Sequence, residues 1–293
     1  MKLDNCIICG KNNLKTIYKD KDRNVVECLN DGLVFVNPIP QKEQLAKYYS
    51  KEYFKTNFPD EEKQGSGFVN YALEEKFIRS GFKDKLSKLE KFIKPQGRLL
   101  DVGCALGFGV SEAEKKGWNA VGIDISKYAV KYCKKNSLKV RQGELEKIKF
   151  RYKFSVIFTS HILEHVHDPL VFLRKAGEML KSGGVLYLAM PNQKSFIARI
   201  MGSKWFDYRR EQHLWFYNPS TIRKLLTISG FEILEYGIEY NKILPKHIAI
   251  RLRSYYKNPL ITKLAILLEF IFKIFGSESA TLPLGNMYFF ARK

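Results

Sequence analysis

Residues 98–110, RLLDVGCALGFGV, decide the fold of this chain. Residues 99–102 are a short apolar run of the kind that forms a fully buried parallel strand. The glycine-rich segment after them turns out of that strand toward a helix. In open α/β sheets, ligands bind at the carboxyl ends of such strands. The stretch therefore predicts an α/β fold with a ligand site at this turn.

The glycines of this loop indicate a close approach to a ligand. Gly103 and Gly107 carry no Cβ, so their backbone can adopt unusual φ/ψ values and lie against a bound molecule. The spacing G-x-x-x-G-x-G differs from the dinucleotide fingerprint, and the loop lacks the Lys-Ser/Thr pair of a phosphate-binding loop. The loop therefore argues against NAD and ATP as ligands. Asp124 ends the next predicted strand, where a carboxylate commonly binds the two hydroxyls of a ribose.

Four ordered blocks between about residues 98 and 192 resemble the class I S-adenosylmethionine-dependent methyltransferases; they read DVGCALGFG, VGIDIS, SHILEHVHDP and LKSGGVLYLAMPN. The nearest likeness is the branch with the ubiquinone-pathway O-methyltransferases and many small-molecule and sugar methyltransferases. This resemblance implies a Rossmann-like, doubly wound and mostly parallel seven-stranded sheet. It also implies a small N-terminal zinc-ribbon-like unit and a helical insertion before the last strand. A coincidental glycine turn in another doubly wound domain is the alternative.

The resemblance also implies the residues that bind S-adenosyl-L-methionine. The methionine end would lie against the glycine loop, the ribose against Asp124, and the adenine near Glu144 and the backbone of Leu145. The implied cofactor-binding residues are Asp101, Gly103, Cys104, Ala105, Gly107, Asp124, Ile125, Glu144, Leu145 and Ser160.

Histidines supply the candidate bases. Methyl transfer from a sulfonium is an in-line displacement, so the enzyme aligns the nucleophile and removes a proton from a hydroxyl acceptor. His161, Glu164 and His165 follow the fourth core strand at a spacing that would place them on one helical face. His213 matches a recurring H-L-x-x-F/Y phrase of the branch. We therefore predict His213, His165 and His161 as catalytic, against the alternative of packed, hydrogen-bonded histidines.

The same stretch raises the question of whether its side chains bind a divalent cation. In the ubiquinone-pathway enzymes the matching stretch has an acid followed by Glu-His and is associated with such a cation. Here His161 takes the place of the acid. This departure argues against a cation at His161, Glu164 and His165, although these residue types can bind one.

The acceptor pocket is predicted after the fifth core strand. Residues 196–217 are rich in aromatic and charged residues, and inserts at this point commonly form the acceptor pocket of such enzymes. The predicted substrate-binding residues are Trp205, Tyr208, Arg209 and Trp215. We expect a small molecule, a sugar or a lipid-linked glycan as acceptor, methylated at oxygen.

The N-terminal residues have the spacing of a zinc ribbon. Cys6-x2-Cys9 and Cys28-x2-Asp31 are separated by 18 residues with strand-like segments between them. The predicted metal ligands are therefore Cys6, Cys9, Cys28 and Asp31. Because an aspartate stands at the fourth position, structural zinc and a metal-free fold are both left open.

Length and composition indicate one large folded domain with a smaller attachment, since the chain has 293 residues, 45% of them hydrophobic. We divide it into a zinc-ribbon-like unit (1–40), a helical lid or linker (41–97), a methyltransferase core (98–240), a helical insertion (241–285) and a final core strand (286–293).

The net charge and the distribution of apolar segments indicate the partners and the cellular location of the protein. The formal net charge of +20 favours anionic partners. Within residues 251–275 a basic, aromatic patch precedes an apolar helix, which is typical of a membrane-surface or lipid-acceptor element; packing on the domain or in a homodimer is the alternative. No secretory signal is visible and no apolar run is long enough to span a bilayer. We expect a cytoplasmic protein, with association at the inner membrane face left open.

Two other functions are alternatives to this one. The first is a nucleic-acid methyltransferase, but residues 160–163 stand where amino-methylating nucleic-acid enzymes have an Asn/Asp-Pro-Pro-aromatic motif, and no RNA-binding module is recognisable. The second is a non-catalytic binding platform. The complete glycine loop and Asp124 argue against it.

Overall fold

The computed structural model describes residues 2–20, 23–46, 75–202, 205–209, 211–243, 263, 266–267, 270 and 280–293. The strands are β1 (Leu14–Asp20), β2 (Arg23–Cys28), β3 (Val34–Val36), β4 (Arg98–Val102), β5 (Asn119–Asp124), β6 (Val140–Gln142), β7 (Phe154–Ser160), β8 (Leu180–Pro191), β9 (Trp215–Phe216), β10 (Glu232–Ile243) and β11 (Ala280–Arg292). The helices are α1 (Lys42–Ala46), α2 (Glu75–Leu89), α3 (Phe108–Lys115), α4 (Lys127–Lys135), α5 (Pro169–Met179), α6 (Phe196–Met201), α7 (Phe206–Arg209) and α8 (Pro219–Ile228).

The larger sheet has seven strands in the order β10-β11-β8-β7-β4-β5-β6. The strands from β6 across to β8 pair in parallel, and β11 runs antiparallel between β8 and β10. Helices α3, α4 and α5 connect the parallel strands, as crossover connections require. This arrangement confirms the predicted doubly wound, mostly parallel seven-stranded sheet.

The strand order places a ligand crevice at β4. From β4 the chain proceeds outward to β5 and β6, and then returns to the other side of β4 as β7 and β8. The carboxyl ends of β4, β5 and β7 therefore meet at the point where the order reverses, which is where open α/β sheets bind ligands. Every side chain of residues 99–102 is buried, in agreement with the apolar run in the sequence.

The second sheet is antiparallel, with the order β1-β2-β3-β9. Its last strand comes from the insert at 196–217, and it pairs Val34 with Phe216 and Phe35 with Trp215. The N-terminal unit that we predicted over 1–40 is therefore completed by a strand from the far side of the core. Buried residues of both parts pack together: Val25, Val34, Val36, Trp205, Tyr208 and Phe216.

Several local predictions differ from the structure. The third core strand, β6, is short, since it begins at Val140 and ends at Gln142. Residues 161–165 form a turn and not a helix, because β7 continues to Ser160 and the chain then reverses. The two strands flanking the predicted insertion are longer than expected, since β10 extends to Ile243 and β11 begins at Ala280.

Other predictions lie largely outside the described residues. The predicted lid or linker (41–97) is described only in part, and α1 and α2 are its helices there. Of the predicted membrane-surface segment 251–275, only residues 263, 266–267 and 270 are described, all of them helical and exposed. None of the helices in the described ranges has both the length and the apolar character that a membrane crossing needs.

Candidate functional site

Asp124, at the carboxyl end of β5, is held by the backbone around it. Its Oδ2 accepts a hydrogen bond from the Ala105 N–H (2.9 Å) and its Oδ1 accepts one from the Ser126 N–H (2.8 Å). Burial raises the pKa of the Asp124 carboxyl, and the two N–H bonds act in the opposite direction. Each carboxylate oxygen has a second lone pair, so the side chain can still accept the hydroxyls of a ligand.

Asp101 lies on the adjacent strand β4 and is only 3% exposed. Its Oδ2 has no hydrogen-bond partner among the described residues. Burial and the charge of Asp124 raise the pKa of Asp101 to about 8, against the opposing effect of Lys85. A Cβ on Gly109 would lie 2.5 Å from this oxygen, so the first turn of α3 needs glycine here, a requirement that the sequence analysis missed.

The unpartnered oxygen tests whether the predicted cofactor fits. An unsatisfied buried carboxylate is costly, and it indicates a donor or cation that completes the site. S-adenosylmethionine carries an ammonium group, a sulfonium and a ribose with two hydroxyls. The pair formed by Asp101 and Asp124 therefore suits this cofactor.

The glycine loop at 103–109 has the backbone that its sequence predicts. Gly103, Ala105 and Gly107 all have positive φ (71°, 48° and 76°). A Cβ on Gly103 would collide with the side chain of Ile162, so the loop packs directly on the turn that follows β7. Cys104 is buried, and its backbone N–H donates to the Ile123 carbonyl (3.0 Å).

On the predicted adenine side, one apolar side chain is accessible and the one carboxylate is already paired with lysines. Ile125 is 44% exposed next to Asp124. The Glu144 carboxylate pairs with Lys42 (2.8 Å) and Lys147 (2.9 Å), while Leu145 is buried in the core. Ile125 is therefore the more accessible of these residues for an aromatic ring.

His161 lies between two carboxylates in the turn at 161–165. Its Nδ1 is 3.3 Å from Glu164 Oε1 and its Nε2 is 3.4 Å from Glu239 Oε2. Burial lowers the pKa of His161, but the hydrogen bonds and charges of the two carboxylates outweigh this and raise it to about 9. A protonated imidazole has no lone pair for a second proton. His161 therefore suits a positioning role better than that of a base.

Lys85 and Glu239 extend this charged cluster, and the sequence analysis missed both. Lys85 Nζ lies 2.5 Å from Glu239 Oε1 and 3.2 Å from Ser160 Oγ. Burial raises the pKa of Glu239, but Lys85 and His161 outweigh this and lower it to about 2. The cluster joins α2, β7 and β10 next to the predicted cofactor residue Ser160.

His165 and His213 pack together, with ring centroids 4.7 Å apart in an edge-on arrangement. His165 Nδ1 lies 2.9 Å from the Gln212 carbonyl oxygen. Since a carbonyl oxygen only accepts, Nδ1 carries the proton and the neutral ring has its lone pair on Nε2. His213 Nδ1 is 3.5 Å from Asp207 Oδ1. The His165 side chain is 16% exposed and that of His213 is 4% exposed, so His165 is the more accessible.

A group of possible metal-ligating atoms does come together here, and it differs from the set that the sequence argued against. Ligand atoms of Glu164, His165 and His213 lie within 4.8 Å of one another. The group contains His213 in place of His161. Two imidazoles and one carboxylate are a donor set that binds first-row divalent metals.

Three of the four predicted acceptor residues are packed in the hydrophobic core. Trp205, Tyr208 and Trp215 are buried, and Trp215 Nε1 donates to the Val166 carbonyl (2.7 Å). These side chains stabilise the insert and its contact with the N-terminal sheet. Arg209 ends α7, and its side chain lies outside the described part of the chain.

Arg23 of β2, which the sequence analysis missed, holds the loop that carries His213. Its guanidinium donates to the carbonyl oxygens of Tyr208 (2.9 Å), Glu211 (3.2 Å) and His213 (2.5 Å). Burial lowers the pKa of Arg23 to about 10, so it remains charged near neutral pH. No local pattern in the sequence pairs Arg23 with residues about 190 positions later.

The chain was compared with known proteins. A sequence profile of the family described as methyltransferase domain matches residues 74–236, more than half of the chain. The ubiquinone biosynthesis O-methyltransferase of Pelagibacter ubique is 32% identical over 137 residues, which cover 43% of this chain and 57% of that protein. The enzyme of the same name from Azorhizobium caulinodans is 30% identical over 153 residues, 47% of this chain and 60% of that protein. The chain therefore spans about 60% of the length of these curated relatives.

Solved structures show the same fold. Magnesium protoporphyrin IX methyltransferase from Synechocystis PCC 6803, with bound S-adenosylhomocysteine, superposes with a TM-score of 0.53 at 14% identity, over 86% of this chain and 100% of that one. A methyltransferase dependent on S-adenosylmethionine from Archaeoglobus fulgidus gives a TM-score of 0.50 at 20% identity, over 76% of this chain and 99% of that one.

Proposed function

Because the chain belongs to the methyltransferase-domain family, as a class I S-adenosylmethionine-dependent methyltransferase related to ubiquinone-pathway enzymes, we propose that it methylates a hydroxyl of a small molecule. The observation that carries this proposal is the buried Oδ2 of Asp101, which has no hydrogen-bond partner in the described part of the chain and lies beside the anchored carboxylate of Asp124. When bound, the cofactor supplies an electrophilic methyl group.

Residues at the ends of β4, β5 and β7 would bind the cofactor. Asp101 and the loop residues Gly103, Cys104, Ala105 and Gly107 would hold the methionine end, with Ser160 alongside. Asp124 would accept the ribose hydroxyls. Ile125 would cover the adenine, with Glu144 and Leu145 at its edge, where the lysine partners of Glu144 compete for its carboxylate.

His165 is the residue that we assign as the base. Its Nδ1–H is fixed on the Gln212 carbonyl, which leaves Nε2 as the proton acceptor. Glu164 Oε1 lies 4.0 Å from that nitrogen, so its charge stabilises the imidazolium that forms. His213, backed by Asp207, packs edge-on against the base and restricts its orientation.

Oxygen is the proposed methylated atom. The curated relatives carry the name O-methyltransferase, and a histidine base suits the removal of a hydroxyl proton. We keep a sugar or a lipid-linked glycan as acceptor classes beside other small molecules. We keep Trp205, Tyr208, Arg209 and Trp215 as the acceptor side of the site, the buried aromatics acting by shaping the insert.

Cofactor binding is the first test. Isothermal titration with S-adenosylmethionine and S-adenosylhomocysteine is expected to show binding of both to the wild type. Asp124→Ala should lose it while remaining folded, and the exposed Asp4→Ala is the matched control. A folded wild type that binds neither compound would contradict the proposal.

Methyl transfer is the second test. With a methyl-labelled cofactor we expect label on a hydroxyl acceptor from a panel of phenols, sugar nucleotides and lipid-linked glycans. His165→Gln should lower kcat by 10² or more, since general-base catalysis contributes about 10²–10⁴. His167→Gln is the control, because its Nε2 contacts the Pro40 carbonyl (2.9 Å) outside the cluster. Label that appears only on added RNA would favour the nucleic-acid alternative.

A further inference from the structure

The N-terminal unit contains the same five-residue turn twice. In the first turn, at 6–10, the Gly10 N–H donates to the Cys6 carbonyl (2.8 Å). In the second, at 28–32, the Gly32 N–H donates to the Cys28 carbonyl (2.7 Å). Both glycines have positive φ, 69° and 73°. Asp31 therefore occupies in the second turn the position that Cys9 occupies in the first.

The four side chains of these turns converge on one point. Cys9 Sγ and Cys28 Sγ are 3.7 Å apart, Cys6 Sγ is 3.5 Å from Asp31 Oδ2, and Cys28 Sγ is 3.9 Å from the same oxygen. A tetrahedral zinc with Zn–S bonds of ~2.3 Å places its sulfur ligands about 3.8 Å apart. The observed separations therefore match a tetrahedral set of donors around one ion.

Contacts from α8 and its N-cap fix the second turn and orient the carboxylate. Lys224 Nζ lies 2.7 Å from Asp31 Oδ1, which leaves Oδ2 directed toward the cysteines. The Asn218 side-chain amide donates to the Gly32 carbonyl (3.1 Å). Partners of this kind, which hold the second oxygen of a ligating carboxylate, determine the orientation of metal ligands.

We propose that Cys6, Cys9, Cys28 and Asp31 bind one structural zinc ion and that Lys224 positions Asp31 as its fourth ligand. Three thiolates and one carboxylate give the occupied site a charge of −2, and Lys224 offsets one of these charges. All four ligands come from the protein, so no position is open for catalysis. The ion links the two N-terminal turns and, through Asp31 and Lys224, ties them to the methyltransferase core.

Metal content and a cobalt spectrum test the site without relying on activity. We expect the purified full chain to contain one zinc per molecule. Replacement by Co²⁺ should give the absorption of tetrahedral cobalt with sulfur-to-cobalt charge-transfer bands, which the nitrogen and oxygen donors of Glu164, His165 and His213 cannot produce. Asp31→Cys should raise the intensity of these bands by about a third, because four thiolates replace three.

Two further variants examine the aspartate and the lysine. Asp31→Asn should weaken zinc retention against a chelator, and Asp31→Cys should restore it. Lys224→Met should keep the cobalt spectrum but weaken retention about 10–100-fold, as loss of an outer partner does. Lys175→Met, which removes a partly buried lysine paired with Glu178 on α5, is the matched control.

Three results would overturn the proposal. The first is a folded wild-type chain that takes up neither zinc nor Co²⁺. The second is an Asp31→Asn variant with the retention and the spectrum of the wild type, which would remove Asp31 from the ligands. The third is equal zinc retention in Lys224→Met and Lys175→Met, which would remove Lys224 from the proposal.

Discussion

Asp101 and His161 have protonation states near neutral pH that are opposite to those of the same side chains in water. Asp101, with a pKa of about 8, is mostly neutral, because burial and Asp124 disfavour its charge. His161, with a pKa of about 9, is protonated, because two carboxylates flank it. Asp101 is thus a neutral acid that a cationic ligand can ionise, whereas His161 is already charged. Cationic ligands are the ones that would draw out the Asp101 charge.

Cofactor binding should release a proton from Asp101. At pH 7 the unliganded carboxyl is largely protonated, and a bound ammonium or sulfonium favours its ionised form. We expect up to about one proton released per molecule bound, measured by calorimetry in buffers of different ionisation enthalpy. Asp101→Asn should show no buffer dependence. An equal enthalpy in all buffers for the wild type would contradict this assignment.

The charged state of His161 should be visible by NMR and in stability. We expect its imidazole to titrate near pH 9, and Glu239→Gln to bring it back toward the ordinary 6.5. A raised pKa means that His161 stabilises the fold fully below 6.5 and loses this effect as pH rises through 9. Glu239, whose pKa is lowered to about 2 from 4.5, contributes above 4.5 and loses its effect toward pH 2.

Urea unfolding measures what the ion pair of His161 and Glu239 contributes to stability. The free energy of unfolding lost in His161→Gln should be largest between about pH 4.5 and 6.5 and should shrink above pH 9. The His161 side chain is 37% exposed, so solvent screens part of the attraction and we expect the loss to be modest. A loss that is constant from pH 5 to 10 would rule out the charged pair.

Removal of divalent cations with EDTA tests whether His165 acts as a base or as a metal ligand. If His165 Nε2 accepts the proton, methyl transfer should persist when loosely bound divalent cations are removed with EDTA. Activity that disappears with EDTA and returns with Mg²⁺ or Mn²⁺, and not with Zn²⁺, would assign Glu164, His165 and His213 to a divalent cation instead.

At the scale of elements, β2, β3 and β9 join the N-terminal unit to the insert that follows β8. Strand β9 extends the N-terminal sheet, and Arg23 at the start of β2 binds three carbonyls of the segment that precedes β9. A guanidinium suits this role because it presents five donors in a fixed plane. The position of His213 therefore depends on an element that begins 190 residues earlier.

Arg23→Lys should impair turnover without impairing cofactor binding. A lysine keeps the charge but cannot reach three carbonyls in one plane, so the segment carrying Asp207 and His213 loses its fixed position. We expect kcat to fall about tenfold or more, with an unchanged Kd for S-adenosylhomocysteine. Arg174→Lys, on the exposed face of α5, is the control. Equal kcat values for the two variants would show that Arg23 has no positioning role.

Across the whole molecule, the sequence predicted those features that local patterns encode. The apolar run of β4 and the carboxylate ending β5 both lie where the residues indicate. Contacts between distant segments were not predictable, because neither Lys85 with Glu239 nor Arg23 with His213 leaves a local signal. The spacing of His161, Glu164 and His165 predicted a helical face, yet a tight turn brings the same residues together.

The N-terminal unit should not be separable from the core. Phe35 packs on Trp215, with ring centroids 5.5 Å apart, and both side chains are fully buried. Removal of residues 2–40 would expose this surface, so we expect a truncated chain to aggregate and to lose cofactor affinity. A soluble truncated chain with the wild-type Kd for S-adenosylhomocysteine would show instead that residues 41–293 fold without the N-terminal unit. Solubility and calorimetry together measure the outcome.

The pairing of Val34 with Phe216 joins two strands that are synthesised at different times. Translation proceeds at roughly 5–20 residues per second, so β3 leaves the ribosome about 10–40 s before β9 exists. During that interval the apolar edge of Val34–Val36 has no neighbouring strand on one side, and such edges recruit other chains. The nascent chain therefore leaves this strand edge open to other chains until Phe216 has been made.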